Sequence, residues 1–120
     1  MTWLSRLIPG AHPPAQLTPE VRARLDAWRK LPATALDRQH VETRYVVVNT
    51  EASGLDLSKD RLLSVAAMAI ENGLINPKLA FYQSLEPDPA DALTGLLEFI
   101  GSSPIVVFNA AFNKRVLLNA

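Results

Sequence analysis

Val46-Val47-Val48-Asn49-Thr50-Glu51-Ala52-Ser53-Gly54-Leu55 is an apolar run that ends in polar groups two residues apart and then a turn glycine. Such a run, rich in β-branched side chains and apolar on both faces, predicts a central strand over residues 44–50. Side chains two apart on a strand share a face, so Asn49 and Glu51 converge at its end. A second stretch carries a related signal: Ile105-Val106-Val107-Phe108-Asn109-Ala110-Ala111-Phe112-Asn113. It predicts a strand over 105–108 that leads into a helix over 110–118, with Asn113 one turn inside that helix.

Working outward, residues 62–71 predict a second strand, and Asn72-Gly73 is a strong hairpin signal. A third strand is expected over 78–85, with a turn near Asn76-Pro77. Asp88-Pro89-Ala90-Asp91 opens a helix with a capping acid and a first-turn proline. Leu93, Leu96, Leu97 and Ile100 follow the spacing of a buried helix face, and Gly101 closes it. Before the first strand, Thr18 caps a helix that Pro19 and Glu20 suit, with Val21, Leu25 and Trp28 on one face and Pro32 as its stop. Residues 33–43 are polar and read as a linker. The leading arm holds Pro9, Pro13 and Pro14 and is expected to be irregular, with Trp3, Leu4, Leu7 and Ile8 forming one amphipathic turn that docks elsewhere. The order is β-β-β-α-β-α after one helix. That makes an α/β chain with a domain over 44–120 behind an arm and helix over 1–43.

Bulk properties narrow the function classes. A chain of 120 residues suits one domain with one core, and 48% hydrophobic with 20% charged residues is ordinary for a globular protein. Twelve basic and twelve acidic side chains cancel, so polyanion binding requires a local patch rather than a global field. The absence of cysteine excludes disulfides and thiolate metal sites. The apolar run from Trp3 to Ile8 is broken by Arg6 and stopped by Pro9, too short for a membrane span and without a secretory cleavage pattern. A cytoplasmic protein with no membrane contact is the default expectation.

The two quoted stretches resemble the first two motifs of the 3′–5′ exonucleases typified by the proofreading epsilon subunit of bacterial DNA polymerase III, in the DEDD superfamily. The first family motif reads Asp-x-Glu-Thr-Thr-Gly, and the second resembles His-Asn-Ala-x-Phe-Asp. The resemblance covers roughly residues 44–118 and implies a ribonuclease-H-like mixed sheet whose first three strands form an antiparallel meander. That fold continues with a fifth strand and a further helix, so this sequence is expected to stop before the fifth strand. The resemblance further implies metal-dependent removal of nucleotides from DNA 3′ ends, with Mg²⁺ or Mn²⁺ as cofactor. A single-stranded 3′ end is then the substrate, and a DNA polymerase subunit is a candidate partner.

Carried over position by position, Asn49 stands where the family has its first aspartate, Glu51 matches the glutamate, and Asn113 stands at the second-motif aspartate. These are the family's metal-ligand positions, and Glu51 is the one that keeps a carboxylate for catalysis. Ser53, Gly54, Leu55, Asn109 and Phe112 match substrate-contacting positions, with Gly54 expected to let backbone approach the 3′ nucleotide and Leu55 to wedge against the terminal base. Ala52 replaces a threonine, and Phe108 replaces the second-motif histidine. The third motif, which resembles His-x-x-x-x-Asp and supplies the general base, has no counterpart before Ala120. The two histidines, His12 and His40, both precede the first motif.

Two divalent ions ~4 Å apart repel by about 17 kcal/mol at an effective dielectric of ~20, and carboxylates must offset that. A lone glutamate does not, so metal binding is expected to be weak or absent and hydrolysis impaired. Asp56, Asp60 or a second subunit are the available sources of further acid, and Lys59, Arg61, Lys114 and Arg115 of local positive charge for phosphates. Each residue also has a plain structural use. Asn49 can cap the strand end, Asn113 can be a surface helix residue, Glu51 can pair with Arg44 or Arg61, and Asn109 can cap the helix. Two other functions compete with the exonuclease: a non-catalytic nucleic-acid-binding domain of the same descent, and a polymerase- or protein-interaction module working through the leading helix and the Trp3 arm.

Overall fold

The computed structural model describes residues 17–56 and 58–118. The expected turn at Trp3–Ile8 and its docking lie outside the described residues. Four strands make one sheet: β1 (Tyr45–Ala52), β2 (Leu62–Glu71), β3 (Leu74–Ser84) and β4 (Ile105–Val106). Their order is β3-β2-β1-β4, with β1–β2 and β2–β3 antiparallel and β1–β4 parallel. Three helices accompany them: α1 (Pro19–Arg29), α2 (Pro89–Ile100) and α3 (Ala110–Leu118). The chain is thus α/β with a mixed four-stranded sheet.

Local chemistry accounts for most boundaries. The Thr18 hydroxyl accepts from the Val21 amide at 3.2 Å and starts α1, and Asp88 does the same for α2 through the Asp91 amide at 3.1 Å. Asn72 and Gly73 both take positive φ (54° and 72°), as a two-residue type I′ hairpin requires. Two expectations change. The third strand begins at Leu74, not at residue 78, and runs through Pro77. The β2–β3 register slips between Met68 and Ile70, whose partners are Ala80 and Ile75, so Pro77 falls in an irregular stretch of an edge strand where no ladder donor is required of it. The fourth strand is only Ile105–Val106 and not 105–108, because Val107 and Phe108 leave the ladder for the approach to α3. The polar linker contains a short 3₁₀ turn at His40–Glu42.

Alternation along β1 divides its side chains between two faces. Val46 and Val48 join Val65 and Ala67 of β2 in the core, against Ala92, Leu93, Leu96 and Ile100 of α2 and Val116 of α3. Tyr45, Val47, Asn49 and Glu51 lie on the other face, paired with Ile70, Met68, Ala66 and Ser64. There Val47, Met68, Ile70 and Ile75 line a shallow apolar depression that includes Asn49. Arg44 finishes α2: its guanidinium donates to the carbonyls of Phe99 (3.0 Å) and Ile100 (3.2 Å) and lies over the Phe99 ring.

The leading helix belongs to the same packing. Arg24 of α1 reaches Asp91 (2.6 Å) and Glu98 (2.5 Å) on α2, and the Trp28 indole donates to the Gly101 carbonyl at 2.9 Å. Hydrogen bonds donated to Glu98, then to Asp91, raise the pKa of the Arg24 guanidinium above its ordinary value. No helix among the described residues is long and apolar enough to cross a membrane.

Candidate functional site

The carboxyl end of β1 gathers most of the candidate residues. It lies between antiparallel β2 and parallel β4. Asn49 and Glu51 share one face there and both are exposed, as the two-residue spacing requires. Glu51 accepts a hydrogen bond from the Ser64 hydroxyl at 2.8 Å, across the strand pair. It pairs with neither Arg44 nor Arg61. Arg44 instead meets Glu71 at 3.3 Å.

A register shift between Glu51 and Ala52 makes Ala52 pair with Leu62 and skip Leu63. This bulge, next to Glu51, turns Leu62 into the core, and the ladder ends at the Ala52–Leu62 pair.

Asn113 comes to β1 from the other side. It is 8% exposed, not the surface helix residue that its polarity suggested. Its Oδ1 accepts from the Thr50 hydroxyl, and Thr50 lies between Asn49 and Glu51 and points to the opposite face. Its Nδ2 donates to the carbonyls of Phe108 (2.6 Å) and Asn109 (3.2 Å). Both amide hydrogens and the carbonyl oxygen are therefore committed to the protein's own backbone and side chains. Asn113 works here as a clamp between β1 and the loop before α3.

Asn109 takes φ 52°, a left-handed conformation that asparagine adopts more readily than most residues, and its carbonyl receives the first α3 amide, that of Asn113, at 3.1 Å. Phe112 is half-buried and packs against the core.

The loop after β1 is closed by its own polar groups. Asp60 accepts from the Ser53 hydroxyl (3.1 Å) and the Asp56 amide (2.8 Å), while the Ser53 hydroxyl accepts from the Arg61 amide (3.0 Å). Asp56 in turn accepts from the Ser58 hydroxyl (2.6 Å) and amide (2.9 Å). Those two bonds, the hydroxyl first, hold the Asp56 carboxyl below its ordinary pKa. Their contribution is present above the ordinary carboxylate pKa and fades as pH falls through the lowered one. Asp56 and Asp60 are thus turned into their own loop and not toward Glu51.

Gly54 has a concrete reason to be glycine: a Cβ there would stand 2.4 Å from Asp60 Oδ2. Its smallness accommodates the Asp60 carboxylate. Gly54→Ala is expected to dislodge that carboxylate, cost about 1 kcal/mol, and speed amide exchange at Asp56. Asp60→Ala should speed the same amide equally, with little added by combining the two, since both remove one interaction. Leu55 remains 84% exposed on this loop.

His40 is held away from this end of β1. Its Nδ1 is hydrogen-bonded to the Tyr45 hydroxyl, with the ring centroids 5.7 Å apart. Tyr45 begins β1, so at ~3.3 Å per residue His40 lies about 20 Å from Glu51 along the strand. Among the described residues no three His, Cys, Asp or Glu side chains gather in a group that could hold a metal. A site made of one carboxylate, one exposed amide and a committed amide does not fit a pair of divalent ions.

No family model matches the sequence, and no curated protein matches it.

Thr50 and Ser64, the partners of Asn113 and Glu51, belong to neither motif's functional positions. The available signal was polarity inside otherwise apolar strands, since Thr50 follows Val46-Val47-Val48 at an inward position and Ser64 interrupts Leu62–Ile70.

Proposed function

We propose that this chain is a ribonuclease-H-like domain of the 3′–5′ exonuclease family that binds single-stranded DNA 3′ ends but hydrolyses them poorly. One observation carries the proposal: Asn49 and Glu51 stand together, exposed, at the carboxyl end of the strand where antiparallel β2 and parallel β4 meet. The antiparallel meander β1–β2–β3 followed by a helix and a parallel β4 supports the fold assignment. Impaired chemistry follows from the donor set within these residues. Glu51 alone brings negative charge to that face, and Asn113 spends its amide on Thr50, Phe108 and Asn109.

Calorimetric titration with Mn²⁺, combined with release of nucleotides from a labelled single strand, tests this directly. The expected result is weak binding of at most one ion and little release. Asn49→Asp adds one charge beside Glu51. At ~4 Å in a water-like dielectric that is worth about 2 kcal/mol toward a divalent ion, roughly 30-fold in affinity. Turnover should stay low in that variant. Tight binding of two ions by the unsubstituted chain, with rapid release of nucleotides, would overturn the proposal.

A second reading, a protein-interaction module, is favoured by Leu36 and Val41, which stand exposed in the segment between α1 and β1. Leu36→Ser with Val41→Ser would then abolish capture of a polymerase subunit and leave DNA affinity unchanged. Deletion of α1 is a poor test, since Arg24 and Trp28 anchor it to α2.

A further inference from the structure

Phe108 is 92% exposed, more than any other large apolar side chain among the described residues. Exposure alone is common on a loop, but the backbone under this ring is fixed. The Phe108 carbonyl accepts from Asn113 Nδ2 at 2.6 Å, and Asn113 is tied through Thr50 to β1, the central strand. Asn109, next along the chain, holds its left-handed turn and hands over to α3. The ring therefore projects from a tethered stretch of backbone beyond the carboxyl end of β4, the strand beside the one that carries Asn49 and Glu51. Leu55 projects from the loop that follows β1. Lys114 and Arg115 are exposed in the second turn of α3, about 8 Å along the axis from Asn109 at ~1.5 Å per residue.

An exposed aromatic face on anchored backbone, followed within two helical turns by two exposed cations, matches a ligand that is flat and unsaturated on one side and anionic on the other. An apolar peptide would use the ring but not the cations, and a free phosphate the cations but not the ring. We propose that Phe108 is a stacking platform for one nucleobase of a bound single strand, with Lys114 and Arg115 meeting the adjoining phosphates. This rests on the reading that the site takes single-stranded DNA, and it adds which side chain holds the base. The role belongs to this chain's own phenylalanine and requires no metal.

The test uses the full chain in EDTA, so that no strand is degraded, and a short oligothymidylate with 2-aminopurine at its 3′ end. The unsubstituted protein should bind and quench the 2-aminopurine. Phe108→Ala should weaken binding about 5- to 100-fold, the range of one base–aromatic stack. Phe108→Trp should retain both affinity and quenching. Circular dichroism and thermal melting confirm that these variants fold, as expected for so exposed a side chain.

An abasic residue moved through the last three positions supplies the decisive arm. At one position it should weaken the unsubstituted protein by about the same factor, while Phe108→Ala becomes indifferent to it. If the protein binds but is indifferent to every abasic position, the platform is overturned and the single-strand reading stands. If no single strand binds at all, both fall.

Discussion

Asn113→Asp is expected to destabilise the fold by about 3 kcal/mol or more rather than rebuild a metal site. The substitution replaces two N–H donors with an acceptor facing the carbonyls of Phe108 and Asn109, which lie 2.6 and 3.2 Å from Nδ2. At 8% exposure the new carboxylate has little water to compensate it. Both effects disfavour the charged form, so the folded-state pKa of this aspartate should be raised above its unfolded value. The sign follows from linkage. The unfolded chain ionises first as pH rises, so the ionisation penalty is absent well below the ordinary carboxylate pKa. It grows as pH passes that value and levels off above the raised one. Urea unfolding across pH 4 to 8 should show the variant losing stability relative to the unsubstituted protein as pH increases. A variant as stable as the parent at neutral pH would show that Asn113 is not the clamp described above. The same logic makes Asn49→Asp benign for folding, because Asn49 is exposed.

Leu93→Ala should destabilise comparably, by a different route. Leu93 is 1% exposed in the first turns of α2 and faces the cluster formed by Val46, Val48, Val65 and Ala67. Truncation removes apolar burial and leaves a cavity that a sheet-on-helix interface closes poorly, for about 2–5 kcal/mol. The melting temperature should fall by about 10 °C or more. No proton is involved, so the loss should be the same at pH 5 and pH 8, unlike that of Asn113→Asp. Measured together, the two variants separate a packing defect from an electrostatic one. A Leu93→Ala cost below about 1 kcal/mol would mean that α2 is not the helix on which the core is built.

The helices were legible from their ends. Thr18 with Pro19, and Asp88 with Pro89, are capping pairs whose chemistry acts within three residues, and both perform that role here. The Asn72-Gly73 hairpin was legible for the same reason. Boundaries failed where a longer-range fact decided them. Pro77 reads as a turn in the sequence, but it falls in the register slip of edge strand β3, between the paired Ile75 and Ala80. The strand expected over 105–108 stops at Val106 because the following carbonyls are turned toward Asn113.

Within the candidate site the division is sharper. That Asn49 and Glu51 share a face is a consequence of the two-residue repeat of any strand. The motif marks Gly54, Ser53 and Phe112 for a ligand, and the tertiary structure adds what they touch within the chain: Asp60 and the Arg61 amide for the first two, the core for Phe112. A motif specifies residue types and spacing, but not which atoms meet.

By itself the sequence determined what periodicity and capping control: the order of elements, the buried stripe of α2, and the shared face of Asn49 and Glu51. Only the tertiary structure decided that Asn113 is a clamp, that Phe108 is exposed beside it in the chain, and that His40 rests on Tyr45 at the far end of β1. The physical reason is range. Capping and strand alternation act over a few residues, whereas the Thr50–Asn113 contact joins positions 63 apart in the chain, brought together only when β4 aligns beside β1.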